Sequence, residues 1–361
     1  MSTTKALPTL NTLVDQTKKI LVTGGSPVSL RPPVETLPAN LELEVTKNLK
    51  RHLKERTGLK HFYKTGEPPA EAVTAAVTMV TKLADKGVRV EKALNLSWLT
   101  LYDMAMLLDD SVSMGFEENA KDLDVLKGTV KTVSGIFQLS RSNPKEGITN
   151  VRFLNSRMFA TNLKPGRVDS LFKGVEFQGE TMIGGALYTK ILQRYDYTKA
   201  TKPLIVVVIT DGEIEGERQD FLKTVIKEYA KKVNEFTSDE NGAHSICYQF
   251  ASLGSQDSTN SIIQALDDDE TLGDFVDHMD KESLRILTSK DEKDSEARWI
   301  AATKLLLGPI SSYYDARELN GEDGLATTDD TGLAAAKHKA AAEEEHEFEG
   351  DAGDDGDDDD W

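Results

Sequence analysis

Five oxygen-bearing side chains in three short segments are of the types that hold a hard cation. Asp109, Ser111 and Ser113 stand in LLDDSVSM, Thr181 in GETMIGGAL, and Asp211 in VVVITDGE. Mg²⁺ favours an octahedral shell of oxygen ligands and keeps water in it readily. Ser111 and Ser113 are two apart in a turn, so both hydroxyls can face one point. Thr181 can add a third hydroxyl. Asp109 and Asp211 supply negative charge, directly or by orienting bound water. Such a set leaves a coordination position open.

The elements that must bring these segments together are legible as alternating strands and helices from about Leu96. Met104 to Leu108 is a short apolar run that ends in Asp-Asp-Ser. Leu123, Leu126, Val130, Val133 and Phe137 mark a helix face, Val151 to Leu154 a strand, and Thr181 to Leu192 a helix. Leu204 to Ile209 is an unbroken run rich in β-branched residues, as expected of a central parallel strand buried on both faces. Phe221, Val225, Tyr229 and Val233 mark a further helix, Ser245 to Phe250 a strand, Ile262 to Leu266 a helix and Phe275-Val276 a short last strand. Trp299 to Leu307 is one more helix, expected to pack into the core rather than to serve as a docking face. This alternation implies an α/β fold with a doubly wound, mostly parallel sheet. Ligands of such sheets bind at the carboxyl ends of the strands, where all three segments fall.

The pattern Asp-x-Ser-x-Ser, then Thr, then Asp in Thr-Asp-Gly resembles the metal-ion-dependent adhesion site of von Willebrand factor type A (vWA) domains. The resemblance covers about residues 98 to 285 and takes in Phe153-Leu154-Asn155, Gly179-x-Thr181 and the run Ile263 to Asp277. It is nearest to the stand-alone intracellular members of that family. It implies a Rossmann-like vWA fold in which Ser111, Ser113 and Thr181 bind Mg²⁺ (with Mn²⁺ or Ca²⁺ as alternatives). Asp109 and Asp211 would act largely through water, and an Asp or Glu of a partner protein would complete the shell. In one departure, Val112 stands where the family usually has Gly between the serines. Valine tolerates positive φ poorly, which predicts a differently shaped loop.

Ahead of this region two amphipathic helices are expected. Asn40 caps a stripe of Leu41, Val45, Leu49 and Leu53 that ends at Gly58. Pro68 or Pro69 opens a second, with Val73, Val77, Val80 and Leu83 on one face and Gly87 as its stop. The expected organisation is a flexible N-terminus (1–35), a helical extension (36–95), the vWA domain (96–285), a C-terminal helix packing on it (286–318) and a disordered acidic tail (319–361).

Other signals point elsewhere and fail on chemistry. Lys19 to Gly25 looks like the opening strand and turn of a dinucleotide-binding fold, and Tyr195 and Lys199 fit a Tyr-x-x-x-Lys pair. Ser26-Pro27 and Arg31-Pro32-Pro33 prevent the helix whose N-terminus must face a pyrophosphate. Asp109 also resembles the nucleophile of haloacid-dehalogenase phosphatases, but that chemistry needs an acid two residues on, where Ser111 stands. The six histidines show no ligand spacing, and His52 and His61 are expected to be exposed. Glu213 reads as solvent-facing rather than as a base.

Of 361 residues, 61 are Asp or Glu and 43 Lys or Arg, a net charge of −18. Five Glu and seven Asp lie between Glu343 and Asp360, so −12 of the −18 is in the tail and no basic face for nucleic acid is indicated. Lone Cys247 in SICYQF reads as a buried strand residue. Absence of a long apolar run or a signal segment predicts no membrane span and a cytoplasmic protein, with the nucleus as the alternative and secretion excluded. The expected function is Mg²⁺-dependent protein binding as a scaffold, not catalysis; the acidic tail reads as a solvated, solubilising segment, with an internal competitor for the open position or a ligand of a basic protein such as a histone as alternatives. Two alternatives stay open: a hydrolase using the same cation as a Lewis acid, and a metal-free structural module.

Overall fold

The computed structural model describes residues 35–116, 120–211, 214–254 and 259–315. Its strands are β1 (Asp103–Leu108), β2 (Asn150–Phe153), β3 (Phe159–Ala160), β4 (Leu204–Thr210), β5 (Ile246–Ser252) and β6 (Val276–Met279). They form one sheet of order 3-2-1-4-5-6, parallel throughout except for the β2–β3 pair. The helices are α1 (Leu41–Glu55), α2 (Ala70–Ala84), α3 (Val90–Leu96), α4 (Ala120–Leu139), α5 (Val168–Phe172), α6 (Ile183–Ala186), α7 (Phe221–Thr237), α8 (Thr259–Asp267), α9 (Lys281–Thr288), α10 (Ser295–Leu307) and α11 (Ser312–Asp315).

Every residue of β4 and β5 is buried, which explains why LIVVVIT shows no polar alternation. From the centre of the sheet, β1→α4→β2 runs one way and β4→α7→β5 the other. With right-handed crossovers the two helices lie on opposite faces. Accordingly α4 packs with α9 and α10, and α6 with α7. The connections reverse direction between β1 and β4, the point at which sheets of this kind bind ligands at the carboxyl ends of their strands.

The described residues from Leu37 to Asp315 form one compact unit, so the segment expected as a helical extension shares a core with the sheet. Val45, Leu49 and Leu53 of α1 are buried. Asn48 donates to the Leu94 carbonyl at 2.7 Å, and Arg56 donates to the carbonyls of Asp274 at 2.9 Å and Pro309 at 3.1 Å. The expectation for His52 was wrong: it is buried, stacks on Trp98 with ring centroids 4.5 Å apart, and meets the Tyr102 hydroxyl at 2.8 Å. His61 is half-buried against Phe62 and Phe236.

The buried face of α2 is also rotated from the expected one. Ala72, Ala75, Ala76, Met79, Val80 and Leu83 are inside, while Val73 and Val77 are half-buried. Gly87 does end this segment, with φ at +81° and the Val88 amide donating to Leu83 O. Thr181 and Met182 precede the helix expected to start there, which is α6 followed by a π segment over Leu187–Ile191. Cys247 is buried, as expected. Among the described residues no helix is long and apolar enough to cross a membrane. The expectations for residues 1–34, Glu213 and 316–361 fall outside the described residues.

Candidate metal centre

The parallel register sets the site. Leu108 pairs with Ile209 on one side and with Phe153 on the other, so the residues after β1 emerge beside the ends of β4 and β2. Asp109 is fully buried and both its oxygens are used. Oδ1 accepts the Ser111 amide at 2.8 Å and Oδ2 accepts the Thr210 hydroxyl at 2.6 Å. That arrangement folds the chain after β1 into a turn in which the Ser111 and Ser113 hydroxyls lie 3.0 Å apart. The Ser113 hydroxyl donates to Asp211 Oδ1 at 3.1 Å, so four of the five sequence-derived residues form one connected cluster.

Thr181, buried at 3% exposure, arrives on a separate loop. The Val112 amide donates to Gly179 O at 3.2 Å and the Gln178 amide to Asp110 O at 2.8 Å, fastening that loop to the serine turn. Gly179 has φ at +87°, and a Cβ there would lie 2.6 Å from Asn155 Oδ1, so only glycine fits. Among the described residues no hydrogen bond joins Thr181 to the other four. Val112 has φ −57° and ψ −39°, ordinary right-handed backbone, and it is exposed. The expected difficulty with valine between the serines is therefore absent, since this turn asks for no positive φ.

Two residues that brace the site escaped the sequence reading. Asp110 is buried and accepts the amides of Asn155 and Ser156, both at 2.7 Å, which ties the end of β2 to the serine turn. Burial pushes its carboxyl up, and these two backbone bonds oppose the shift. Glu217 accepts the amides of Gly184 at 2.7 Å and Gly185 at 2.9 Å, holding the loop after β4 against the start of α6. The repeated Asp-Asp of LLDDSVSM was the signal for Asp110. For Glu217 there was none.

The cluster concentrates acidic groups in a partly buried setting. The Asp211 carboxyl is pushed up to about 7, first by burial and then by the charge of Asp109. Two carboxylates this close are costly until a proton or a cation neutralises them. In an octahedral Mg²⁺ shell with bonds of about 2.1 Å, adjacent oxygens lie about 3.0 Å apart. The Ser111–Ser113 and Ser113–Asp211 oxygen separations of 3.0 and 3.1 Å, hydrogen bonds as they stand, are compatible with that edge. The donor set of hydroxyls and carboxylates, without Cys or His, suits a hard ion. Among the described residues no group of three or more His, Cys, Asp or Glu is arranged to hold a metal.

A cleft of about 540 Å³ lies at the opposite, amino-terminal edge, between Glu71, Asp103, Arg141 and Lys202. Its cations are already engaged: Arg141 by Asp103, Leu99 O and Tyr102 O, and Lys202 by Thr100 O. Tyr195 donates to Lys202 O and Lys199 pairs with Asp196, so the two do not form a catalytic pair. No protein-family model matches the chain, and no curated protein matches it either.

Proposed function

We propose that the chain is a vWA-type binding module whose adhesion site takes Mg²⁺ and, through it, an Asp or Glu carboxylate of a partner protein. The observation that carries this reading is the hydrogen-bonded cluster of Ser111, Ser113 and Asp211, with Asp109 holding the serine turn, at the point where the sheet reverses direction. Ser111, Ser113 and Thr181 would hold the ion directly, and Asp109 and Asp211 would supply charge and orient its water. When bound, the ion offers a position to an incoming carboxylate. The chain's own residues fix the geometry: Asp110 and Glu217 hold the three loops in place before any ion arrives. Mn²⁺ or Ca²⁺ would fit the same oxygen set less closely or less rigidly. The chain acts in this reading as a cytoplasmic or nuclear scaffold.

The test is calorimetric titration of the full chain with Mg²⁺, beside Asp109→Ala/Ser111→Ala. Saturable binding that the double substitution abolishes supports the site. A full chain that binds no Mg²⁺ with or without a carboxylate peptide leaves the metal-free structural reading in its place.

A second reading has one observation in its favour. A carboxyl at about 7 beside a cation site is poised as a general base, as a metal-dependent hydrolase requires. Bound Mg²⁺ would return Asp211 to its ionised range, which weakens that role. Turnover of a generic phosphoester that Asp211→Asn abolishes would favour hydrolysis over binding.

A further inference from the structure

We propose that the chain's own C-terminal segment, Glu343–Trp361, is a ligand of this site, held by its carboxylates at the cation and by Phe348 and Trp361 on an apolar collar of Val112, Phe116 and Met182. This rests on the cation-binding reading above and names what occupies the open position.

Eight large apolar side chains stand exposed among the described residues, and three of them adjoin site residues along the chain: Val112 at 46%, Phe116 at 50% and Met182 at 40%. Val112 lies between the two serines, Phe116 follows Ser113 by three residues, and Met182 adjoins Thr181. Neither core packing nor backbone geometry asks for them. Val112 has ordinary helical dihedrals that a polar residue would adopt equally well. The three are carried on one connected platform. The Val112 amide is bonded to Gly179 O, and a Cβ on Gly115 would meet Phe177 Cβ at 2.9 Å, so the serine turn is seated on the loop that leads to Thr181 and Met182. Exposed apolar residues ringing a charged centre exclude water from a contact made there and strengthen its charge interactions.

A matching ligand carries carboxylates with apolar residues beside them. The C-terminal segment does: Phe348 lies between Glu347 and Glu349, and Trp361 follows four aspartates. Reach is adequate. The described chain ends in α11, where Tyr314 packs on Trp98 and accepts a hydrogen bond from Asn95, on the side of the sheet where β1 begins. The metal cluster lies at the other end of β1, about 20 Å away along the strand. The chain between Asp315 and Glu343 would have an r.m.s. span of roughly 30 Å as a flexible coil, close to the separation at which a tethered ligand is most effective.

The experiment compares the full chain with one ended after Ala342, both in saturating Mg²⁺, using a synthetic peptide of residues 343–361 as the probe in calorimetry. The shortened chain should bind the peptide, and the full chain should bind it at least about tenfold more weakly because its own segment competes. Binding should vanish with EDTA. It should fall at least about tenfold in Val112→Ser/Phe116→Ser/Met182→Ser, whose three sites are exposed, while Mg²⁺ affinity stays unchanged. The Phe348→Ser/Trp361→Ser peptide should be weakened alike. A shortened chain that binds Mg²⁺ but not the peptide, or that binds it equally in EDTA or after the triple substitution, overturns the proposal. If neither chain binds Mg²⁺, the underlying cation reading falls first and takes this one with it.

Discussion

Asp109 and Asp211, one after β1 and one after β4, hold the same serine turn at the reversal point of the sheet, Asp109 through the Ser111 amide and Asp211 through the Ser113 hydroxyl. The two are far apart in sequence, and parallel pairing of Leu108 with Ile209 brings them together. Folding therefore spends stability to hold like charges in register. Asp211 shows the cost as a carboxyl pushed up to about 7 by burial and by Asp109. The unfolded carboxyl titrates near 4. Between about 4 and 7 the folded chain binds a proton that the unfolded chain has released, so this group's contribution to stability falls as pH rises through that window.

Replacing Asp211 by Asn removes the repulsion and keeps the shape. At pH 8 in EDTA, Asp211→Asn should raise the urea midpoint by an amount equivalent to about 1 kcal/mol, modest because the side chain is partly exposed. The same substitution should abolish Mg²⁺ binding. A lower midpoint, or retained binding, would count against the carboxylate pair as an ion site.

Proton and metal compete for the same oxygens. Mg²⁺ affinity should therefore strengthen by up to about tenfold per pH unit as pH rises toward 7 and level off above it. Calorimetry at pH 6, 7 and 8 reads this directly. A flat profile would mean that Asp211 does not titrate against the ion.

Asp110 is the brace beneath the site. Its two oxygens accept two backbone amides, and replacing it by Ala strands both donors in a buried setting. Asp110→Ala should destabilise the chain by about 3 kcal/mol in urea unfolding. Ser111→Ala, whose hydroxyl bonds only within the cluster, should cost less than about 1 kcal/mol. Equal costs for the two would contradict the assignment of one as brace and the other as ligand.

The contrast between these residues shows what a sequence can disclose. The cluster was legible because its residues recur as types at short spacing, each beside an apolar run that could only be a strand. Asp110 and Glu217 were not, since each is defined by backbone amides of other segments that only the assembled loops supply. His52 was misread because its partners, Trp98 and Tyr102, come from another segment and turn an apparently polar helix position into a buried one. The face of α2 differs from the expected one because its buried side includes Ala72, Ala75 and Ala76, small residues that a stripe of valine and leucine does not mark. Valine at 112 looked unfavourable only on the assumption of a positive φ that this turn does not have.

Buried histidines predict an acid limit. Burial drives His52 well below the ordinary imidazole range, lowers His244, and brings His278 down to about 4. Each folded-state value lies below the unfolded one, near 6.5, so the unfolded chain takes up protons that the folded chain refuses. Their stabilisation is complete above about pH 6.5 and is lost as pH falls toward 4. Urea midpoints should drop across that interval, with His278 alone contributing on the order of 2 kcal/mol after allowance for its partial exposure. His52→Phe, which keeps the ring stacked on Trp98, should shallow the slope. An unchanged slope would place the acid limit elsewhere.

The helices before the sheet should prove indispensable to it. Val45, Leu49 and Leu53 of α1 and Ala76, Met79, Val80 and Leu83 of α2 are all buried in the core that also holds Leu99, Leu101 and Tyr102. Burying a large aliphatic side chain contributes roughly 1.5–3 kcal/mol, and a domain's net stability is only about 5–15 kcal/mol. Losing both helices exceeds that margin, and it leaves Trp98 without the His52 ring that covers it. A chain beginning at Lys86 should therefore show no cooperative thermal transition by circular dichroism, whereas one beginning at Leu37 should melt cooperatively. If the shorter chain melts cooperatively, α1 and α2 are an appendage, and the metal centre can be studied without them.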